Sequence, residues 1–342
     1  MLRGVAATLV MLCHFCWTFS QAYSEPSTIQ IYMAVYGAIG VDLFFVISGF
    51  VIFYAWFSRD FGSTRVSDFL RRRVARILPL YWIALLATVV MYALGYRSGD
   101  NLTLNSMILD IFLIPHTVYD SAVGVSWTLT FEFIFYLIFC ATLFLRSQTS
   151  SLAFTTVALG VLAVAGQAIP ALAVNDIPVV VEFTFGMVLA HLVLKGRRLK
   201  TSGFLLVSMF LVTLAPVLFL PDLFNSVAIS PWARVIFWGV PSAVVVGSML
   251  QVPDTQKIPQ KICMLLGGAS YSLYLFHYFF VYVAEMAIRI LAPTGFQILL
   301  LEIFIIAVTL VFSIAVYLAL DLPIQRYFSS RVRRQALAFR GG

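Results

Sequence analysis

The first hydrophobic segment contains the stretch RGVAATLVMLCH, which runs from Arg3 to His14. Eleven residues make about three turns of an α-helix, so both side chains lie on one face. The same stretch rises ~16 Å, which carries His14 from the membrane surface to about mid-bilayer. An ionisable side chain at that depth is costly unless it faces protein or a water-filled cavity, so it marks a functional site. A neutral histidine that donates to a nearby helix carbonyl is equally compatible with these two residues alone.

The composition excludes a soluble domain. Of the 342 residues, 61% are hydrophobic and only 11% are charged, which is typical of an all-α, polytopic membrane protein. The net charge of +7 does not indicate a nucleic-acid partner, because the basic residues collect in loops on one side of the predicted membrane. The four cysteines show neither paired metal-ligand spacing nor a disulfide pattern, so we expect no metal site.

The hydrophobic runs predict about ten transmembrane helices with both termini in the cytoplasm. With that orientation, 19 of the 22 lysines and arginines fall on the cytoplasmic side, as the positive-inside rule requires. The stretch 104–115 is too short to span and is interpreted as an interfacial or re-entrant piece. One domain covers residues 1–342, with a basic cytoplasmic tail from about 325. The predicted spans are 5–23, 36–57, 74–95, 124–145, 151–170, 178–194, 204–220, 232–250, 265–291 and 297–320.

Three carboxylates lie within predicted spans. Asp42, in the outer third of the second span, needs a partner, and either a helix-stabilising salt bridge or a catalytic role would supply one. Glu132 in the fourth span belongs to a polar stripe with Thr128 and Tyr136, and a carboxylate there can orient or charge-balance an imidazole. Glu182 in the sixth span has a weaker claim, because it lies near the outer end, where water is expected to reach it.

Two further clusters carry functional groups. Ser270, Tyr274 and His277 follow at i, i+4 and i+7 in the ninth span, which places two hydroxyls and an imidazole on one face. The stretch 71–76 is rich in arginine and enters the membrane from the cytoplasm. Within it Arg72, Arg73 and Arg76 can set the topology, attract anionic lipid headgroups, or clamp a phosphate bidentately.

Together these segments resemble the membrane acyltransferase-3 family, the multi-span O-acyltransferases that modify bacterial surface polysaccharides and related molecules. The resemblance covers nearly the whole chain and depends on six motifs in order. They are Arg3 with His14, the stretch 40–50, Arg73-x-x-Arg76 before Pro79, Ser126-Trp127 with Glu132, the stretch 270–277, and Asp321-x-Pro323.

The resemblance implies an acyl-CoA co-substrate, usually acetyl-CoA, and no metal. The acceptor is then a hydroxyl of a glycan or a lipid-linked saccharide, and the location is the bacterial inner membrane, with lipids as further partners and a homo-oligomer left open. The implied catalytic residues are His14, Glu132 and Asp42, with His14 as general base or acyl carrier. The implied donor-binding residues are Arg3, Arg72, Arg73, Arg76, Ser270, Tyr274 and His277.

Two other function classes stay open. In a proton-coupled transporter or flippase, His14, Asp42 and Glu132 form an intramembrane relay and the arginines bind an anionic substrate. A non-catalytic scaffold for envelope assembly is the third class. An enzyme releases the free thiol of CoA, whereas a transporter moves its substrate without consuming a thioester.

Overall fold

The computed structural model describes residues 1–58, 66–95, 102–116, 121–145, 147–173, 176–197, 202–219, 230–250 and 260–328. Over these residues the secondary structure is helical and contains no strand, so the all-α prediction is confirmed for this part of the chain. The predicted basic tail lies outside the described residues beyond Phe328.

The helices follow one another with short connections. They are α1 Leu2–Ser20, α2 Thr28–Tyr36, α3 Ile39–Phe57, α4 Val66–Ala93, α5 Leu104–Ile111, α6 Ser126–Thr142, α7 Gln148–Ala165, α8 Pro170–Ala173, α9 Glu182–Leu194, α10 Gly203–Phe219, α11 Pro231–Arg234, α12 Val240–Met249, α13 Gln260–Leu291 and α14 Phe296–Val316. A 3-10 turn, Ile177–Val181, precedes α9, and π-helical turns follow α11 (Val235–Gly239) and α14 (Tyr317–Asp321).

Eight helical stretches among the described residues are long and apolar enough to cross a bilayer, so the chain is an integral membrane protein. Two shorter apolar helices, Ser126–Thr142 and Leu205–Ala215, lie where the fourth and seventh spans were predicted. Within the stretch 104–115 only the eight residues of α5 are helical, as expected for a piece too short to span.

Small residues bring the central helices into close contact. A Cβ added to Gly49 of α3 would meet the backbone of Phe183 in α9, and one added to Gly186 of α9 would meet the backbone of α3. On the other side of α3, Gly40 lies against the backbone of Ala6 in α1. Packing of small residues is a principal means of helix association in lipid. The central helix α3 is thereby held between α9 and α1, and α1 also packs along α13.

Candidate active site

A pocket lies between α1, α3, α6 and α13. Its walls are mostly aromatic and aliphatic, with a few convergent polar groups, as is typical of sites that bind small molecules. The residues that line it are Arg3, Val41, Phe44, Phe45, Ser48, Thr128, Leu129, Glu132, Tyr271 and Tyr274.

Glu132 organises one end of this pocket. Its Oε1 accepts a hydrogen bond from the Ser48 hydroxyl at 2.8 Å and another from the Tyr136 hydroxyl at 2.6 Å. The polar stripe predicted on the fourth span is therefore built, and its i, i+4 spacing explains why Tyr136 reaches the carboxylate. The partner from α3, Ser48, lies 84 residues away in sequence, so helix periodicity could not predict it.

Arginines gather at the same end. The Arg3 guanidinium donates to Ser270 Oγ at 3.5 Å and lies over the Phe44 ring at 5.5 Å. The charges of Arg73 and Arg76 are close enough to act on it, as is the charge of Glu132. These like charges repel one another, and an anion bound between them would offset that repulsion. The cluster is therefore suited to bind an anion.

Arg73 and Arg72 differ in environment although they are neighbours in sequence. The Arg73 guanidinium lies over the rings of Phe69 and Tyr136, at 5.5 and 5.9 Å, and its Nε is buried without a hydrogen-bond partner among the described groups. The Arg72 side chain is exposed. Of these two neighbours, Arg73 is therefore the one with a buried donor that lacks a hydrogen-bond partner among the described residues.

The opposite end of the pocket leads to two histidines. The hydroxyls of Thr128 and Tyr274, which line the pocket here, are 2.6 Å apart. One helical turn further along α13, the His277 ring lies 5.9 Å from the Tyr274 ring. His277 in turn contacts His14, with 3.3 Å between His277 Nε2 and His14 Nδ1.

Each sequence-predicted polar position of α13 thus meets a different partner. Ser270 contacts Arg3, Tyr274 contacts Thr128, and His277 contacts His14. The Tyr278 ring packs edge-on against His14 at 5.2 Å between centroids. Of the face predicted from the i, i+4, i+7 spacing, Tyr274 lines the pocket, and Arg3 and His14 contact its other two residues.

Asp42 lies outside this constellation. It is fully buried, and its Oδ2 and Oδ1 accept hydrogen bonds from Arg234 at 2.9 and 3.2 Å. Arg234 also contacts Asp176 at 3.3 Å and donates to the Ala38 carbonyl at 3.3 Å. Burial raises the pKa of Asp176, and the Arg234 charge opposes that shift. This geometry favours the salt-bridge alternative for Asp42 over a place in the pocket.

Two expectations from the sequence need correction. Glu182 was expected to be solvated, but its side chain is fully buried beside the Asp42 and Arg234 pair. Glu132 was considered as a partner that orients His14, yet its hydrogen bonds go to Ser48 and Tyr136 at the other end of the pocket. Helix spacing gave the depth of each carboxylate but not the neighbours from other helices.

Sequence reasoning missed three residues near these groups. Arg234 and Tyr278 were not singled out, and Asp321 was noted only as part of a motif. Asp321 is buried and lies close enough to Arg3 and Arg76 to interact electrostatically. One signal for Arg234 was available in the sequence. It lies near the start of a predicted span, and Asp42, an intramembrane carboxylate without an evident partner, needs a basic one.

Comparison with known proteins adds independent information. A family model described as an acyltransferase domain matches residues 1–318. The exopolysaccharide production protein ExoZ of Rhizobium meliloti is 31% identical over 325 residues, which cover 89% of this chain and 94% of that protein. The acyltransferase MdmB of Streptomyces mycarofaciens is 34% identical over 145 residues, 40% of this chain and 36% of that protein. No solved structure matches the chain significantly.

Proposed function

We propose, from the premise that this chain belongs to the acyltransferase family whose model covers residues 1–318, that it acylates a hydroxyl of a cell-envelope glycan. The donor is a cytoplasmic acyl-CoA, in the simplest case acetyl-CoA, and the enzyme is a membrane O-acyltransferase of the bacterial inner membrane. The name of the relative ExoZ, an exopolysaccharide production protein, supports a saccharide acceptor.

The observation that supports this proposal most directly is the polarity of the pocket. Arg3 lines one end, within reach of the charges of Arg73 and Arg76, and Tyr274 at the other end adjoins the histidine pair. A molecule that is anionic at one end and reactive at the other fits such a pocket. Coenzyme A thioesters have this character, because their phosphates lie at the far end of a long, thin arm from the thioester.

The topology predicted from the sequence supports this direction of the donor. If the N-terminus lies in the cytoplasm, as that prediction has it, the arginine end faces the compartment that contains acyl-CoA. Phosphates cannot enter the hydrocarbon, so a guanidinium cluster at the membrane surface suits them. The thioester then extends toward His14, which lies ~16 Å further along α1. Tyr274 of α13 lines the pocket between Arg3 and the histidine pair.

The chemistry assigned to His14 has two routes. As a general base, its imidazole takes the proton of the acceptor hydroxyl while the oxygen attacks the thioester carbonyl and the carbon–sulfur bond breaks. The thiolate of CoA leaves and takes up that proton from the imidazolium. As an acyl carrier, the imidazole attacks the thioester first and passes the acyl group to the hydroxyl in a second step.

The test measures release of the CoA thiol from acetyl-CoA by purified protein in lipid nanodiscs, with a surrogate glycan as acceptor. We expect His14→Ala to abolish release while acetyl-CoA binding persists. His191→Ala is the matched control, because His191 contacts Phe53 away from the pocket and its loss should leave the rate within about twofold. Thiol release that persists in His14→Ala would remove this histidine from the mechanism. Substrate movement across vesicles without thiol release would favour the transporter class.

A further inference from the structure

We propose that His277 is a positioning residue for His14. Together with the Val10 carbonyl, it accepts the hydrogen bond from His14 Nδ1, so that His14 Nε2 is the reactive nitrogen. The inference depends on the proposed acyl transfer, and it reassigns His277 from donor binding to orientation of the reacting imidazole. It follows from the hydrogen-bond partners of His14 Nδ1 and of both His277 ring nitrogens, and from the surroundings of the pair.

The backbone carbonyls fix the protons of both rings. His277 Nδ1 lies 3.1 Å from the Leu273 carbonyl, and His14 Nδ1 lies 2.9 Å from the Val10 carbonyl. A carbonyl oxygen only accepts, so each Nδ1 must carry a hydrogen. In neutral His277 the other nitrogen, Nε2, is then an acceptor. It lies 3.3 Å from His14 Nδ1, whose N–H is therefore shared between Val10 and His277.

This assignment determines what His14 can do. With its proton held at Nδ1, neutral His14 has its lone pair on Nε2, the nitrogen that remains for an acceptor hydroxyl or a thioester. Without the two acceptors at Nδ1, the proton would be free to occupy either nitrogen, and only one of the two tautomers would be active. In serine hydrolases a buried aspartate gives a histidine the same orientation.

In the part of the chain that the structure describes, no carboxylate orients His14. Its hydrogen-bond and ring partners there are Val10, His277 and Tyr278, and none of them is an acid. His277 is fully buried, and its own neighbours are the rings of Tyr274 and Tyr278 and the Leu273 carbonyl. Glu132 lies at the far end of the pocket. The acceptor of the His14 proton is therefore an uncharged imidazole.

His277 also has a defined part in the reaction step. When His14 Nε2 takes the proton of the acceptor hydroxyl, the ring becomes an imidazolium with N–H groups on both nitrogens. The positive charge strengthens the hydrogen bond from Nδ1 to His277 Nε2, since charge-assisted hydrogen bonds are stronger than neutral ones. Once the departing CoA thiolate has taken the proton from Nε2, both rings return to their starting tautomers.

Two substitutions separate orientation from simple packing. In His277→Phe a ring of similar volume remains, but the acceptor nitrogen Nε2 is lost. In His277→Gln the side-chain amide oxygen can occupy the position of Nε2 and accept the same hydrogen bond. We expect His277→Phe to lower kcat for CoA-thiol release by about 100-fold, within the usual range for loss of acid–base assistance, with KM for acetyl-CoA within about twofold. We expect His277→Gln to retain kcat within about tenfold of wild type.

The pH profile gives a readout that a packing role would not move. Loss of the acceptor destabilises the imidazolium, so the acid limb of the kcat profile should move to lower pH in His277→Phe and move back in His277→Gln. Nitrogen-15 NMR of histidine-labelled protein in nanodiscs provides a second readout that needs no turnover. We expect wild-type His14 to carry its hydrogen on Nδ1, with Nε2 unprotonated.

The outcomes distinguish the two proposals. Suppose that the wild type releases thiol, that His14→Ala abolishes this release, and that His277→Phe and His277→Gln have the kcat of the wild type. This result would overturn the role of His277 and leave the proposed acyl transfer intact. Equal damage by both substitutions with an unmoved acid limb would make His277 structural, as would a hydrogen on His14 Nε2. If His277→Phe does not insert, His277→Asn replaces it, because its shorter amide cannot reach His14. An inactive wild type that binds neither donor nor acceptor would contradict the acyl transfer itself.

Discussion

Replacement of Arg234 with methionine tests whether Asp42 has a structural or a catalytic part. The guanidinium makes two hydrogen bonds to Asp42, at 2.9 and 3.2 Å, and the two side chains are 9% and 0% exposed. Methionine keeps much of the volume but removes the charge. Asp42 is then left as a buried carboxylate beside Glu182, without its counter-charge.

The expected free energies follow from which groups remain paired. Breaking a buried pair by removal of one partner costs about 3–5 kcal/mol, which we expect for Arg234→Met. Asp42→Asn should cost less, about 1–3 kcal/mol, because Arg234 keeps its contacts with Asp176 and the Ala38 carbonyl. In the double variant neither Asp42 nor Arg234 leaves a bare charge, so its loss of stability should be about 1–3 kcal/mol smaller than the sum of the two single losses.

The assay has two parts. Unfolding in mixed micelles by SDS titration gives the stabilities, and CoA-thiol release from the folded, inserted fraction gives the activity. We expect Arg234→Met to be the least stable of the three variants and Asp42→Asn to retain most of the wild-type rate per folded molecule. A folded Asp42→Asn protein of wild-type stability without thiol release would refute this reasoning and return Asp42 to the catalytic residues.

Three further predictions concern the pocket. Arg73→Ala should weaken acetyl-CoA binding about tenfold at low salt and less at high salt, because a buried donor to the phosphates is lost. The control Arg72→Ala, at an exposed side chain, should change the affinity less than about twofold. Equal effects of the two substitutions in equilibrium binding would contradict a phosphate clamp at Arg73. Glu132→Gln should leave the acid limb of the kcat–pH profile in place, because Glu132 contacts Ser48 and Tyr136 and not His14; a moved limb would show coupling to the imidazole. Gly124→Ala should lower kcat without raising KM for acetyl-CoA, because the added Cβ would meet the Tyr278 ring that packs on His14. A raised KM with unchanged kcat in steady-state kinetics would refute this prediction.

Periodicity within one helix predicted much of this site. The eleven-residue spacing of Arg3 and His14, and the i, i+4, i+7 spacing on α13, each determine a face without knowledge of any neighbour. Because the two helices pack along their lengths, residues at matching heights meet, as Arg3 meets Ser270 and His14 meets His277. Hydrophobic length likewise predicted most of the spans, since every backbone group must be paired inside a bilayer.

Partners from distant helices could not be predicted in this way. Asp42 and Arg234 are 192 residues apart in sequence, and His14 and His277 are 263 apart. An intramembrane carboxylate indicates that a partner is needed, but the sequence does not indicate which residue supplies that partner. The assignment of Glu132 to His14 failed for this reason: helix periodicity placed both in the membrane, and only the packing of α6 against α3 directs the carboxylate to Ser48.

The separation of charge along the pocket explains why an uncharged partner suits His14. A carboxylate beside an imidazole at mid-bilayer would need desolvation that only an ion pair offsets, and such a pair would favour the imidazolium over the neutral base. The His277 imidazole accepts from Nδ1 without adding charge, so His14 stays neutral until the acceptor hydroxyl reacts. The arginines lie at the other end, with Glu132 and Asp321 near them. An anionic donor can thus be bound by charge at one end of the pocket and react in an uncharged environment at the other.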